Sequence, residues 1–325
     1  MSGYEYRIWD MKDSSCKLGR TKENLAPYRK LWDKIFADPE GFADYYFQEV
    51  CKKNIIIGVY DADTLIGMAY ANPYQVVDSK ASCVKESYYI VGVSVDEAYR
   101  KQGIMHEMMQ KLMLYIQDQG CEFVFLMPEN EQYYTSLGFE NIYKTKTITF
   151  DTADFEFDMP IDPTVKLLHL SRLPREEWQL LADGINKELS KRFRYYVNRN
   201  DDALQAMLME HQCQKGDVAI VYDEEMVRGL FAYGLDCKHM YIERLELFDV
   251  DCGEMLAKVI VRVAGFMKCE AASVTMDAQA AERFCEAFHG NCMIEAGHGI
   301  MACSLQKDKF SINDMKNISF FDEIV

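Results

Sequence analysis

The sequence holds no apolar run approaching the roughly eighteen residues that a membrane-spanning helix needs. Its opening, MSGYEYRIWDMKD, lacks the basic and then apolar character of a secretory leader, so a cytoplasmic protein that meets no membrane is the expectation. Basic residues are in the minority, with 36 Lys and Arg against 52 Asp and Glu, and the net charge of −16 is spread evenly over both halves. Without a basic stripe or tail, nucleic acid is not an expected partner, because neutralised phosphates supply most of that affinity. An acidic surface favours a cationic partner such as an amine, or serves solubility alone. Neither G-x-G-x-x-G nor G-x-x-x-x-G-K-[ST] occurs, which disfavours dinucleotide and nucleoside-triphosphate enzymes. No nucleophile elbow or Ser-His-Asp set is visible, so a covalent acyl-enzyme finds no support. The 11 cysteines show neither C-x-x-C nor paired Cys/His spacing. Cys285 and His289 could share a helix face, but two ligands do not make a zinc site. No metal is expected, and the thiols are expected to be reduced and mostly buried.

What is present suffices for two domains of ordinary size: 325 residues, 49% of them hydrophobic. The most informative stretch runs from Tyr88 to Gly120. Tyr88–Val95 is aromatic and β-branched, which suits a buried strand. From Ile104 the period becomes helical: Ile104, Met108, Leu112 and Ile116 form one stripe, widened by Met105, Met109 and Met113. Gly120 stands where a C-terminal cap belongs. Between strand and helix lies Arg100-Lys101-Gln102-Gly103. Unpaired N–H groups and a partial positive charge at a helix N-terminus favour phosphate oxygens. Gly103 would let a ligand approach the backbone, and Arg100 and Lys101 add full charges. A pyrophosphate lying across the helix start is the chemistry that fits.

This segment resembles the acetyl-CoA signature of the GNAT superfamily of N-acetyltransferases, (Q/R)-x-x-G-x-(G/A). Arg100, Gly103 and the preceding Val93-Ser94-Val95 match it, while Met105 stands where the last small residue falls. The resemblance implies that Val93, Ser94 and Val95 pair with the pantetheine arm. It likewise implies that backbone from Gln102 through Ile104 to Met105, with Arg100 and Lys101 beside it, holds the pyrophosphate.

The order of elements agrees with that family: a strand at 4–10, helices at 22–37 and about 41–52, strands at 54–60 and 64–74, then the organising strand and helix. In GNAT proteins the two early helices wall the acceptor site, so Tyr45 and Tyr46 are candidate substrate residues, although core packing is the commoner reason for aromatics at this spacing. After a strand at 122–127, the string Y-x-x-L-G-F resembles the GNAT element in which a tyrosine protonates the departing CoA thiolate. Tyr134 takes that position. Glu129 and Glu131, in the loop MPENEQYY, are further candidates for holding an ammonium group. A strand at 144–150 closes this half.

Acidic residues and two prolines mark 151–163 as a linker between domains at 1–150 and 164–325. The second half repeats the first: two helices (175–193 and 201–212), strands at 218–222, 227–233 and 240–248, a helix at 255–268, a strand at 272–276, a helix at 279–289, and a strand pair over 292–305. Its strand-to-helix turn, Asp249-Val250-Asp251-Cys252-Gly253-Glu254, has three acids and no base, so this copy reads as degenerate. The fold class expected is α/β (α+β): two tandem GNAT-like domains, each a mixed, mostly antiparallel sheet flanked by helices. An active GNAT copy before a degenerate one is similar to the enhanced-intracellular-survival type without its sterol-carrier-like third domain.

The resemblance implies an N-acetyltransferase moving an acetyl group from acetyl-CoA, as cosubstrate, to a small amine by direct attack in a ternary complex. The alternatives are an acyl-CoA sensor without turnover and an acyltransferase acting on an aminoacyl or peptide acceptor. Homo-oligomerisation stays open.

Overall fold

Backbone pairing joins the two halves into one sheet. The computed structural model describes residues 3–13, 16, 22–155, 161–224, 226–248, 252–288, 290–316 and 319–321. In chain order the first half comprises β1 (Glu5–Asp10), α1 (Lys22–Ile35), α2 (Phe42–Tyr45), β2 (Ile55–Asp61), β3 (Thr64–Asp78) and β4 (Cys83–Val95). It continues with α3 (Ile104–Asp118), β5 (Phe123–Leu126), α4 (Gln132–Thr135) and β6 (Glu140–Asp151). The second half has β7 (Val165–His169), α5 (Trp178–Arg192), β8 (Tyr195–Val197), α6 (Asp201–Cys213), β9 (Asp217–Asp223), β10 (Met226–Asp236) and β11 (His239–Leu247). It ends with α7 (Gly253–Phe266), β12 (Ala271–Asp277), α8 (Ala278–Glu286), β13 (Met293–Ser304) and β14 (Ser319–Phe320).

The main path runs β1-β2-β3-β4-β5-β13-β6-β12-β11-β10-β9-β7, with β8 bridging β3 and β14. Two strands are exchanged along it. β13, from the second half, lies between β5 and β6, and β6, from the first half, lies between β13 and β12. Most pairs are antiparallel. The β4–β5 and β11–β12 pairs are parallel, each spanned by a crossover helix, α3 or α7.

Helices cover both faces. The stripe read from the sequence is the buried side of α3, where Ile104, Met108, Met109, Leu112 and Ile116 pack over β2, β3 and β4. Fully burying side chains of this size is worth about 2 kcal/mol each. On the opposite face Trp32, Tyr46 and Tyr70 form an aromatic cluster under α1.

β4 carries a bulge. The pairing skips between Met68↔Ser94 and Tyr70↔Val91, and Gly92 adopts φ +63°. A Cβ there would stand 2.6 Å from Trp32 Cζ3 and 2.9 Å from Tyr70 Cδ2. A glycine inside a strand run marks such a position.

Several boundaries differ from the sequence reading. β3 and β4 extend beyond the expected 64–74 and 88–95 to form a long hairpin. The second early helix is a single α turn that passes into a π turn at Tyr46–Val50 and a 3-10 turn at Cys51–Lys53. The expected strand pair over 292–305 is one long strand, β13, because its two ends pair with different strands of the first half. The short β8 and β14 had no sequence signal. Residues 156–160 of the expected linker lie outside the described residues, whereas Thr152 donates through Oγ1 to the Cys269 carbonyl at 2.7 Å. The expectation of reduced thiols throughout is corrected at one place, where Cys285 and Cys292 form a disulfide joining the end of α8 to the start of β13. His289 lies outside the described residues, and among those described no group of metal-ligating side chains is found. No helix there is long and apolar enough to cross a membrane.

Two outcomes follow from this architecture. Gly92→Ala will lower stability by about 2–4 kcal/mol, read as a reduced urea midpoint, since it adds both backbone strain and overpacking. A fragment of residues 1–155 will lack the β13 and β12 partners of β6 and show no cooperative urea transition by circular dichroism.

Candidate active site

The parallel pair β4–β5 is hydrogen-bonded over only two residue pairs, Tyr88↔Val124 and Tyr89↔Phe125. Beyond them β4 runs on to Val95 paired only with β3, so the strands part and a wedge opens between them. The Gly92 bulge sits on that free stretch and turns the β4 backbone away from regular pairing. Val93, Ser94 and Val95, expected to pair with a pantetheine arm, lie along this edge. Ser94 Oγ is buried with no hydrogen-bond partner.

The wedge leads to the start of α3. Gly103 is the N-cap at φ +81°, and no side chain caps the helix. A Cβ built on Gly103 would find no atom within 4 Å, so the space before the first turn is open. Arg100, Lys101, Gln102 and Gly103 are exposed there, while Ile104 is buried and Met105 half-buried. Lys101 takes the left-handed region at φ +64°.

Contacts from three directions hold this turn. Arg100 Nε donates to the Val95 carbonyl at 3.1 Å. Asp96 accepts from the Ala98 N–H at 3.2 Å and from Lys34 Nζ at 2.7 Å, and the Lys34 ammonium holds its carboxyl below the usual range. Tyr99 donates to Asp61 and Tyr4 to Gln102 Oε1, each at 3.0 Å. Tyr4, Lys34 and Asp61 were not among the candidates from the sequence, because each lies on a different element. Gly92 alone carried a local signal, a glycine within Tyr89-Ile90-Val91-Gly92-Val93.

Tyr134 lies in α4 and is buried in the cluster that contains Ile90, Leu126, Ile104 and Met108, the side chains flanking the wedge. Its ring meets Phe139 edge-on at 5.8 Å. Burial, and secondarily the Glu129 carboxylate, push its phenol up to about 12. The neighbouring Tyr133 is 60% exposed.

The remaining candidates are placed as follows. Glu129 is exposed, and Glu131 accepts from Asn141 Nδ2 at 2.7 Å. Tyr46 is fully buried, donating to Asn72 Oδ1 at 2.9 Å and accepting from Asn54 Nδ2 at 3.0 Å. Tyr45 donates to the Ala206 carbonyl of α6 at 3.1 Å, tying α2 to the second half. Side chains that do gather where the two strands part are Tyr74, Tyr89 and Phe125, whose rings contact one another. Phe321 joins them, 4.6 Å from Phe125, so part of the tail SFFDEIV reaches this place, although 322–325 lie outside the described residues. Glu86, at the base of β4, is engaged by Lys12, whose ammonium keeps that carboxyl ionised.

The second half repeats the splay, since β11 and β12 pair only as far as Ile242↔Val274. The space beyond is lined by Leu189, Arg192, Leu245, Glu246, Met276 and Asp277. Glu246 there is bound to Arg199, both fully buried. The acidic turn's Asp249, Val250 and Asp251 lie outside the described residues.

Residues 20–142 match the family model described as an acetyltransferase (GNAT) domain. That match lies wholly within the first half of the chain. Among solved structures, the fold is similar to a probable N-acyltransferase from Enterococcus faecalis at 15% identity, covering 93% of this chain and 73% of that one with a TM-score of 0.67. A GCN5-related N-acetyltransferase from Anabaena variabilis matches at 11% identity over 92% of this chain and 72% of its own, also with a TM-score of 0.67. Eis1 from Mycobacterium abscessus matches at 10% identity over 94% and 75%, with a TM-score of 0.57. At such identities the likeness is one of fold, and it extends from the GNAT domain through the second half. No curated protein matches the sequence.

The wedge and the bare start of α3 fit acetyl-CoA, the cosubstrate of GNAT enzymes: an extended arm along the free β4 edge and a diphosphate at Gly103. Gly103→Glu places a carboxylate in that open space. It will weaken CoA binding at least about tenfold by calorimetry, since one lost charge-assisted contact alone is worth about 1.5–3 kcal/mol.

Proposed function

We propose that the chain is an N-acetyltransferase that moves an acetyl group from acetyl-CoA to the amine of a small, cationic acceptor. The observation that carries this reading is the wedge between β4 and β5 opening onto the uncapped, unobstructed start of α3. Backbone N–H groups from Gln102 to Met105 bind the diphosphate, with Arg100 and Lys101 beside it. The free β4 edge at Val93–Val95 takes the pantetheine amides, and a backbone N–H near Leu126 polarises the thioester carbonyl.

The amine attacks that carbonyl, the carbon–sulfur bond breaks, and the electron pair leaves on the CoA sulfur as a thiolate. Water at the open end of the wedge takes the proton from the attacking nitrogen. Tyr134 faces the departing sulfur. Its phenol, pushed up to about 12, is a weaker acid than a thiol near ~8.5, so complete transfer is uphill by roughly 5 kcal/mol. The phenol therefore stabilises the thiolate chiefly by donating a hydrogen bond, and holding both substrates in register supplies most of the acceleration. The second half is read as a degenerate copy that binds no coenzyme, its acidic turn being unsuited to a diphosphate.

Calorimetry with acetyl-CoA, followed by thiol release across polyamines, amino sugars, amino acids and aminoacyl acceptors, tests the assignment. Binding without turnover on any acceptor would reduce the protein to a sensor, and absence of binding would end the reading. Tyr134→Phe will lower kcat by about a hundredfold while acetyl-CoA affinity stays within about twofold. Because a raised pKa means the proton is retained, the Tyr134 contribution will be constant from about pH 7 to about pH 10 and be lost only as pH passes about 12.

A further inference from the structure

Tyr134 stands on a turn of only four helical residues, too short to hold its own position. Two side-chain contacts fasten that turn to the sheet. At its start Glu131 accepts the backbone N–H of Tyr134 at 3.1 Å and of Thr135 at 3.2 Å through its carbonyl. Its carboxylate accepts from Asn141 Nδ2 of β6 at 2.7 Å. At its end the Leu137 carbonyl lies 3.6 Å from the Cys303 thiol of β13. Asn141 faces Met301 across the β6–β13 pairing, and its Oδ1 is buried without a partner, so the bond to Glu131 orients the amide.

Gly299 of β13 completes this arrangement. A Cβ there would stand 2.7 Å from Asn141 Oδ1 and 3.5 Å from Glu131 Oε1. The missing side chain makes the room in which the Glu131–Asn141 pair forms, and that room belongs to a strand of the second half.

We propose that Glu131 and Asn141 are positioning residues for Tyr134, with β13 of the second half as their backstop. Glu131 then serves the reaction by accepting a hydrogen bond within the protein, not by holding the acceptor's ammonium group. Through this contact the degenerate half acts on the chemistry of the first. The inference rests on the reading of Tyr134 as the thiolate's hydrogen-bond donor.

Hydrogen exchange and kinetics on the full chain separate the two ideas. Asn141→Leu and Glu131→Ala will speed exchange of the amides of Tyr134, Thr135, Leu137 and Phe139 about tenfold or more, with protection of α3 and α7 unchanged. Glu131→Gln keeps an acceptor oxygen for Asn141 and will leave exchange within about twofold. With whichever amine turns over in the panel, Asn141→Leu and Glu131→Ala will each lower kcat about tenfold at unchanged acetyl-CoA KM, whereas the conservative Glu131→Gln will recover most of what Glu131→Ala loses. Unchanged exchange in Asn141→Leu, or a large rise in acceptor KM in Glu131→Gln, overturns the proposal. If exchange responds as expected but Tyr134→Phe retains full kcat, the anchoring of the turn stands and the role given to Tyr134 falls.

Discussion

β6 has no sheet partner from its own half: its two neighbours are β13 and β12. A central strand must satisfy its backbone N–H and C=O groups on both edges, and those of β6 are met only when the second half is folded. The same holds for β5, which has β4 on one side and β13 on the other. Everything at the candidate site inherits this dependence. The wedge is a property of where β5 stops following β4, and β5 is held in place by a strand that arrives near the chain's end.

The two parallel pairs that a helix spans, β4–β5 and β11–β12, make a comparison within one molecule. Both splay after a short paired segment, but the space between them is treated differently. In the first half it meets an exposed basic turn and a glycine with open surroundings. In the second it is lined by Leu245 and Met276, beside a fully buried Arg199–Glu246 pair. A buried pair of this kind is costly to break, about 3–5 kcal/mol for loss of one partner, so it fixes the groove's floor without offering a free charge to a ligand. The same splay thus meets an exposed basic turn in one half and a groove floored by a buried ion pair in the other.

What the sequence made legible was local. The α3 stripe and the glycine that opens that helix follow from spacing within about twenty residues, and the element types hold throughout the helices and longer strands. What escaped was non-local. A strand's own residues do not say which strands flank it, so nothing in Met293–Ser304 announces that it crosses into the first half. The partners that brace the basic turn, Tyr4, Lys34 and Asp61, lie far from Arg100 in sequence and carry no motif. β8 and β14 are too short to impose a period. Tyr46 was named for its aromatic character, and its hydroxyl is instead part of a buried polar network with Asn54 and Asn72. The Cys285–Cys292 link was missed because a spacing of seven residues matches no familiar cysteine pattern.

The exchange of β6 and β13 also bears on how the protein is made. Synthesis runs from the amino end, so a nascent chain still short of Met293 presents β5 and β6 with unpaired edges at the place where the wedge will form. Such edges invite pairing with other chains. Ribosome-bound copies therefore spend most of their elongation with the cleft's floor unfinished, and the amino-terminal half becomes a protected unit only after nearly the whole polypeptide has emerged.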